Sequence, residues 1–316
     1  MDQASERDIA PTDLKTNERS HRVTLQKSRQ KSRQESRAKE FRENGVVFIE
    51  HALDSGALRA AEEAYNWSLA HPSPGAANFV TRNSAATFYQ DLANPKAIGA
   101  YRKMLEESPA ADIAAALWGK PDVWFMYEQV FLKEGGESRR TPWHQDSSYL
   151  PIEGNDIAVM WISFEPVAKE NSLEFVRASH RVVLYDGSRF DPNDDTAPLY
   201  GNGVLPRLPN IEAERARWDI VSWSVQPGDV LVFHPAMLHG GAPTHGSIRR
   251  RTLSLRFFGD DALYVRRPTG VEATTPPFRR EPEKEDTRSA LAKLPETLAP
   301  GDPFRHPEFL KLRPRD

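Results

Sequence analysis

The central part of the chain consists of short segments in which apolar and polar residues alternate and Val, Phe, Trp and Tyr are frequent. This period and composition are typical of β-strands. Turn signals such as Glu134-Gly135-Gly136 separate the segments, and no helical pattern lies between them. Consecutive strands without crossover helices favour an antiparallel barrel or jelly roll, so we predict an all-β core. The clearest segments are DVWFMYEQVFLKEGG, DIAVMWISFEPV, SLEFVRAS, WDIVSWSV, GDVLVFHP and RRTLSLRFFGD.

Helices are predicted before this strand-rich part. Residues 55–71 have apolar residues at helical spacing, and residues 94–119 predict two helices broken near Pro109. Ahead of them, Asn44-Gly45 marks a helix end, and Val46–Ile49 follows as a short strand. We therefore predict an all-β core with flanking helices.

One domain is predicted over residues 38–265, with an extension at each end. Residues 1–37 are polar and rich in Lys, Arg, Gln and Ser, which is typical of a flexible arm. Residues 266–316 are Pro-rich and charged, and we expect this tail to pack on the domain surface. The segment 186–217, rich in Asp, Pro, Asn and Gly, is predicted to be a lid or binding insertion.

Composition narrows the classes of function. The 316 residues are 39% apolar, enough for a well-packed core, and the formal net charge of −3 argues against a nucleic-acid partner. No apolar run is long enough to span a membrane and no secretory signal is evident, so we expect a cytoplasmic protein. The chain has no cysteine, so a bound metal must have nitrogen and oxygen ligands.

The stretch TPWHQD, at 141–146, is a candidate metal site. In an extended segment His144 and Asp146 point to one face and could bind one ion side by side. A second histidine would complete the set of two histidines and one carboxylate that binds non-haem iron. Downstream, His239 follows a strand and precedes two glycines. We prefer it to His234, at the strand end, and to a histidine in the polar loop beyond.

The segment RRTLSLRF has one face that is too polar for an ordinary core. Arg250 and Arg256 share that face with two hydroxyl residues, so it could line a barrel that holds a charged ligand. A carboxylate is the natural partner of a buried guanidinium. A solvated edge strand is the alternative, and Arg256 could instead form a buried ion pair with Asp260 or Glu128.

In order along residues 40–265, these motifs resemble the phytanoyl-CoA dioxygenase family. The resemblance rests on TPWHQD, DIAVMW, NSLEFVRASH, PGDVLVFHPAMLHGG and RRTLSLRFFGDD. It implies a double-stranded β-helix (a cupin-like jelly roll) with Fe(II) and 2-oxoglutarate as cofactors and O2 as cosubstrate. The implied reaction is hydroxylation, or another oxidation, of a small molecule through hydrogen abstraction, with release of succinate and CO2. Ascorbate is expected to help in vitro.

The resemblance also implies roles for single residues. It assigns iron binding to His144, Asp146 and His239, and cosubstrate binding to Arg250, Trp161 and Gln129. Arg250 matches the arginine that binds the far carboxylate of 2-oxoglutarate. Where the family often has a serine, this chain has Gly241, so the cosubstrate pocket departs from the family pattern at this position. The alternative function is a jelly roll that only binds its ligand, or a cupin-like isomerase with another metal.

Substrate contacts are less constrained by the sequence than metal ligands. Four aromatic residues could border the pocket, with ordinary packing as the alternative for each, and Arg256 could bind substrate as well. The four aromatic candidates are Tyr149, Trp143, Phe88 and Tyr89. We predict a small-molecule substrate and neither a nucleic-acid nor a membrane partner, and a homo-oligomer remains open.

Overall fold

The computed structural model describes residues 28, 31–78, 86–136, 138–191, 193–268 and 288–314. Of the predicted N-terminal arm, residues 31–37 belong to a helix, α1, that spans 31–44. The other residues of the arm, apart from residue 28, lie outside the described residues, as do 269–287 and 315–316 of the predicted tail.

The helix boundaries follow local sequence signals. Helix α2 begins where the Asp54 carboxylate accepts hydrogen bonds from the backbone N–H groups of Gly56 and Ala57. The predicted break at Pro109 separates α3 from α4. Helix α4 ends at Gly119, whose φ of 72° is the left-handed conformation that glycine favours. The helices after α1 are α2 (Ser55–Ala70), α3 (Ile98–Glu107), α4 (Ala110–Trp118) and α5 (Ala290–Thr297).

The described strands form three antiparallel sheets. The strands are β1 (Val46–Ile49), β2 (Ala77–Asn78), β3 (Thr87–Leu92), β4 (Val123–Glu134), β5 (Thr141–His144), β6 (Ile152–Glu153), β7 (Ile157–Ser163), β8 (Leu173–Val176), β9 (Ile220–Val221), β10 (Val230–Phe233), β11 (His239–Gly241), β12 (Arg250–Phe258), β13 (Leu263–Tyr264) and β14 (Leu310–Arg313). The larger sheet has the order β1–β10–β7–β12–β4–β3–β2, and β14 also pairs with β4. The smaller sheet has the order β5–β11–β8–β9, and β13 pairs with β6. This is the predicted jelly roll.

The two faces of the larger sheet have different partners, as β12 shows. Leu253, Leu255 and Phe257 are buried in the core that includes helices α2, α3 and α4. Arg250 and Arg256, on the opposite face of the same strand, line a cavity between the larger and smaller sheets. The alternation predicted for this segment therefore separates a helix-covered apolar face from a polar interior.

The C-terminal tail contributes more than the predicted surface packing. Strand β14 extends the larger sheet by pairing with the start of β4. Leu294 in α5, with Phe304 and Phe309, is buried in a cluster that includes Phe258 at the end of β12. The aromatic side chains of this tail thus complete the core, although its composition is mostly polar.

The predicted insertion at 186–217 lies along the smaller sheet with little regular structure. It has one short 3-10 turn, and Ser188 forms an isolated bridge with Pro198. Arg139 and Arg140, between β4 and β5, attach it to the domain by ion pairs. Among the described helices, none combines the length and the apolar character needed to cross a membrane.

Candidate metal centre

The predicted metal ligands meet where the smaller sheet joins a tight turn. His144 ends β5 and is paired directly with His239, the first residue of β11. Gln145 remains extended, and Asp146 begins a short 3-10 turn. Antiparallel pairing therefore brings a histidine from far along the chain beside the His144–Asp146 pair.

The three side chains converge on one small space. Their candidate ligand atoms all lie within 4.8 Å of one another. Oδ1 of Asp146 is 3.4 Å from Nε2 of His144 and 3.9 Å from Nε2 of His239. A metal with nitrogen and oxygen ligands at about 2 Å fits atoms at these separations.

Backbone carbonyl groups fix which nitrogen of each imidazole faces this space. Nδ1 of His144 is 2.8 Å from the carbonyl oxygen of Pro142, and Nδ1 of His239 is 2.9 Å from that of Met237. Because a carbonyl oxygen only accepts, each Nδ1 donates its proton to the hydrogen bond. Each Nε2 then keeps a lone pair directed towards Asp146, which suits metal binding.

Burial and nearby charges favour the protonation states that a metal site needs. Burial, together with the neighbouring His144 ring, lowers the pKa of His239 to about 3, so this imidazole is neutral at pH 7. Burial by itself raises the pKa of Asp146, but the Arg256 guanidinium and the two histidines hold that pKa well below its usual range. The site therefore presents a neutral His239 ring beside an ionised carboxylate.

Arg256 contacts the candidate metal site directly, and neither predicted ion pair forms. Its Nη2 donates to Oδ2 of Asp146 at 2.8 Å and to Oε1 of Gln129 at 2.6 Å. Glu128 and Asp260 have other hydrogen-bond partners. The reason is geometric, because Glu128 faces away from Gln129 across β4 and Asp260 lies beyond the end of β12.

The candidate ligands open onto a cavity of about 600 Å³ between the two sheets. Cavities of this size hold small molecules and cofactors. All three residues predicted to bind cosubstrate line the cavity, and so do three of the five predicted substrate contacts. These six residues are Arg250, Trp161, Gln129, Tyr149, Phe88 and Arg256.

Two predicted substrate contacts, Trp143 and Tyr89, do not line this cavity. Trp143 packs against the 186–217 segment, and Tyr89 packs against the core beneath the helices. Alternation along each strand explains both corrections, because the neighbouring His144 and Phe88 are the residues that face the cavity.

Arg250 is buried in the cavity wall with no carboxylate partner among the described residues. Its Nη1 donates to the carbonyl oxygen of Asn171, and its Nη2 donates to that of Ala242 at 3.2 Å. Burial lowers the pKa of Arg250 to about 10, so the guanidinium remains charged at neutral pH. A buried cation without a counter-charge is a favourable place for an anionic ligand.

Lys133 is a second buried basic residue in the cavity wall, which the sequence analysis missed. It is only 2% exposed and is paired with Arg250 across β4 and β12. Its Nζ donates to the carbonyl oxygen of Arg139 at 3.0 Å and lies 3.9 Å from the centre of the Phe88 ring. Burial, and then the charge of Arg250, lowers the pKa of Lys133 well below its usual value. The alternation of β4, which places Lys133 on the same face as Gln129, could have indicated it.

His234, the alternative metal ligand, is engaged elsewhere. Its Nδ1 accepts a hydrogen bond from the backbone N–H of Ala236 at 3.1 Å, and its Nε2 donates to the carbonyl oxygen of Gly154 at 3.0 Å. Since both ring nitrogens have backbone partners, His234 has no nitrogen directed at the candidate metal site.

The fold and this cavity define a jelly-roll protein with a candidate metal centre of two histidines and one carboxylate. Among solved structures, the chain is similar to the non-heme alpha ketoglutarate dependent epimerase SnoN from nogalamycin biosynthesis. The TM-score is 0.62 at 19% identity, over 90% of this chain and 98% of SnoN. At this identity the likeness shows the shared fold.

Residues 41–252 match the family described as Phytanoyl-CoA dioxygenase (PhyH), so the chain belongs to the phytanoyl-CoA dioxygenase family. It is 26% identical over 204 residues to a probable phytanoyl-CoA dioxygenase of Caenorhabditis elegans, covering 62% of this chain and 61% of that protein. It is 27% identical over 153 residues to the peroxisomal phytanoyl-CoA dioxygenase of Homo sapiens, covering 46% of this chain and 42% of that protein. The chain thus spans about half the length of the curated relatives it matches.

Proposed function

We propose that the protein is an Fe(II)- and 2-oxoglutarate-dependent dioxygenase that oxidises a small molecule. One observation carries this proposal: a histidine–carboxylate–histidine group and a buried arginine without a counter-charge border the same cavity. The first feature suits a divalent metal ion, and the second suits the far carboxylate of 2-oxoglutarate. Membership of the family supports the same pair of cofactors.

The donor set fits iron. His144 and His239 offer Nε2 lone pairs and Asp146 offers Oδ1, which is the set of three ligands that leaves positions open in non-haem iron oxygenases. Arg256 binds Oδ2, so it orients the carboxylate with Oδ1 towards the histidines. When bound, iron and 2-oxoglutarate together activate O2 and supply the oxidising equivalent, with succinate and CO2 as coproducts.

The two buried basic side chains, Arg250 and Lys133, suit the cosubstrate carboxylate. The guanidinium of Arg250 has five N–H donors, and the carbonyl groups of Asn171 and Ala242 accept from two of its nitrogens. Lys133 donates to one carbonyl group and has further N–H groups to offer, and a bound carboxylate would favour its protonated form. A carboxylate held between these side chains would supply the counter-charge that they lack.

The charges around the cavity support a substrate smaller than an acyl-CoA ester. Among the described residues, three other basic side chains line it, and each already pairs with a carboxylate: Arg139 with Asp195, Arg140 with Glu212, and Arg256 with Asp146. A coenzyme A ester would require free cations for its phosphate groups. We therefore infer a small metabolite that shares the cavity of about 600 Å³ with 2-oxoglutarate.

Succinate formation tests the proposal directly. The purified chain, supplied with Fe(II), ascorbate and 2-oxoglutarate, is expected to release succinate slowly without substrate and faster with a suitable substrate from a metabolite panel. His239→Ala should abolish release, while His245→Ala, at an exposed histidine of the next loop, should retain it. Turnover of a substrate without 2-oxoglutarate would instead support the cupin-like isomerase.

A further inference from the structure

Beside the candidate metal site, the 186–217 segment places one aromatic ring in the cavity wall. The Phe190 ring centre is 5.4 Å from that of His144, with the rings nearly perpendicular, and 6.1 Å from that of Tyr149, with the rings stacked. We propose that Phe190 is a specificity-determining residue that limits the size of the group able to reach the metal. This inference rests on the proposed function, because it requires a metal held by His144.

The backbone at Phe190 is strained. Its φ is 56°, in the left-handed region, where a bulky residue is uncommon. Such a conformation is energetically costly and persists only when the surroundings fix it. Here the Phe190 N–H donates to Oγ of Ser188 at 3.0 Å, and its carbonyl oxygen accepts from Arg139 at 3.2 Å. The chain therefore maintains a costly conformation that turns this ring towards the metal site.

The same segment is attached to the turn that carries the carboxylate ligand. The Tyr149 hydroxyl donates to the carbonyl oxygen of Ser188 at 2.7 Å, and the Tyr200 hydroxyl donates to that of Ser148 at 2.6 Å. Gly187 packs so closely on the Tyr149 ring that a Cβ there would lie 2.9 Å from Cζ. These contacts hold the segment that carries Phe190 at a fixed position relative to the turn with the carboxylate ligand. The Phe190 ring therefore forms a fixed part of the cavity wall.

A fixed aromatic wall has a consequence for the substrate class. A group that approaches the metal site on the His144 side passes beside the Phe190 and Tyr149 rings, which offer apolar contact there. The structure therefore favours a substrate whose reacting carbon lies on a slender apolar part of the molecule, with bulky or charged parts held further from the metal. A branched or ring-bearing carbon at the reacting position should be excluded.

Metal accessibility can be measured without knowing the substrate. The chain is loaded with Co(II) and 2-oxoglutarate, and imidazole or phenylimidazole is titrated while the visible Co(II) absorption is recorded. In Phe190→Ala the affinity for phenylimidazole should rise about tenfold, while that for imidazole changes less than about twofold. Val204→Ala, at a residue of the same segment that is 68% exposed, serves as the matched control and should behave as wild type.

Phe190→Gly separates loss of the ring from loosening of the loop, because glycine adopts the same φ without strain. Both variants should admit phenylimidazole equally if the ring is the barrier. The proposal is overturned if Phe190→Ala leaves phenylimidazole binding unchanged, or if both probes bind more tightly by the same factor. Failure of the wild type to bind Co(II), or binding unaffected by His144→Ala, would instead contradict the proposed function.

Discussion

Two buried polar regions of the same cavity differ in how their charges are balanced. At the candidate metal site, Asp146 pairs with Arg256, and each histidine Nδ1 has a backbone acceptor. Six residues away along β12, Arg250 and its neighbour Lys133 have only backbone carbonyl groups as hydrogen-bond acceptors among the described residues. In the first region the charges of Asp146 and Arg256 balance each other, although Nε and Nη1 of Arg256 have no hydrogen-bond partner among the described residues. The second region has excess positive charge.

The difference indicates what each region can bind. The metal site holds three ligand atoms in a fixed arrangement. Its carboxylate is already ionised, so it can bind a divalent cation without first losing a proton. The second has a desolvation cost that an anion would offset, since buried cations are unfavourable without a partner. The same barrel interior thus prefers a cation at one position and an anion at the other.

The largest effect is expected at the metal region. Asp146→Ala removes the only carboxylate of the ligand group and leaves Arg256 repelling a cation, so affinity for Co(II) or Fe(II) should fall at least about a hundredfold. Metal content after dialysis and Co(II) titration measure this. Asp219→Ala, at an exposed aspartate, is the control. If Asp146→Ala still bound the metal tightly, the region around Asp146 would not be the part of the cavity that binds the cation.

The next effect concerns the cationic region alone. Arg250→Met should weaken 2-oxoglutarate binding about a hundredfold, because it removes the buried guanidinium, while Co(II) affinity stays within about twofold. Calorimetric titration of 2-oxoglutarate into the Co(II) form separates the two quantities. Arg249→Met, at the adjacent exposed arginine that pairs with Glu134, is the control. An equal loss of metal affinity in Arg250→Met would contradict the independence of the two regions.

Local periodicity in the sequence accounts for much of this arrangement. The alternation in RRTLSLRF predicts that Arg250 and Arg256 face the interior, and the spacing of His144 and Asp146 predicts a shared face. The preference for His239 over the other downstream histidines is consistent with the observed pairing to His144. These features depend on strand period and order, which a single sequence displays.

Contacts between segments that are far apart in the sequence cannot be predicted from strand period. The pairing of Arg256 with Asp146 depends on how a turn after β5 meets the end of β12, and no local pattern encodes it. Phe190 lies in a segment without period, so its approach to His144 could not be predicted. Likewise, β14 pairs with β4, which is far away in the sequence, and no local pattern predicts this pairing.

Within the cationic region, Lys133 should contribute less to 2-oxoglutarate binding than Arg250 does. Lys133→Met should weaken 2-oxoglutarate binding only about threefold to tenfold, because Arg250 remains, yet it should stabilise the ligand-free protein by about 1–2 kcal/mol. The reason is that burial lowers the pKa of Lys133 in the folded state, so the unfolded chain binds the proton more readily. This penalty is absent well above the unfolded pKa of about 10.4, grows as pH falls below that value, and becomes constant below the folded pKa.

The stability difference between Lys133→Met and wild type should therefore be larger near pH 7 than near about pH 10. Urea unfolding at both values measures it, with Lys39→Met, at an exposed lysine of α1, as the control. If Lys133→Met were destabilising at neutral pH, the lysine would already have a counter-charge in the free protein. If instead it weakened 2-oxoglutarate binding as much as Arg250→Met, the two cations would act as one unit, and the carboxylate would have to lie between them.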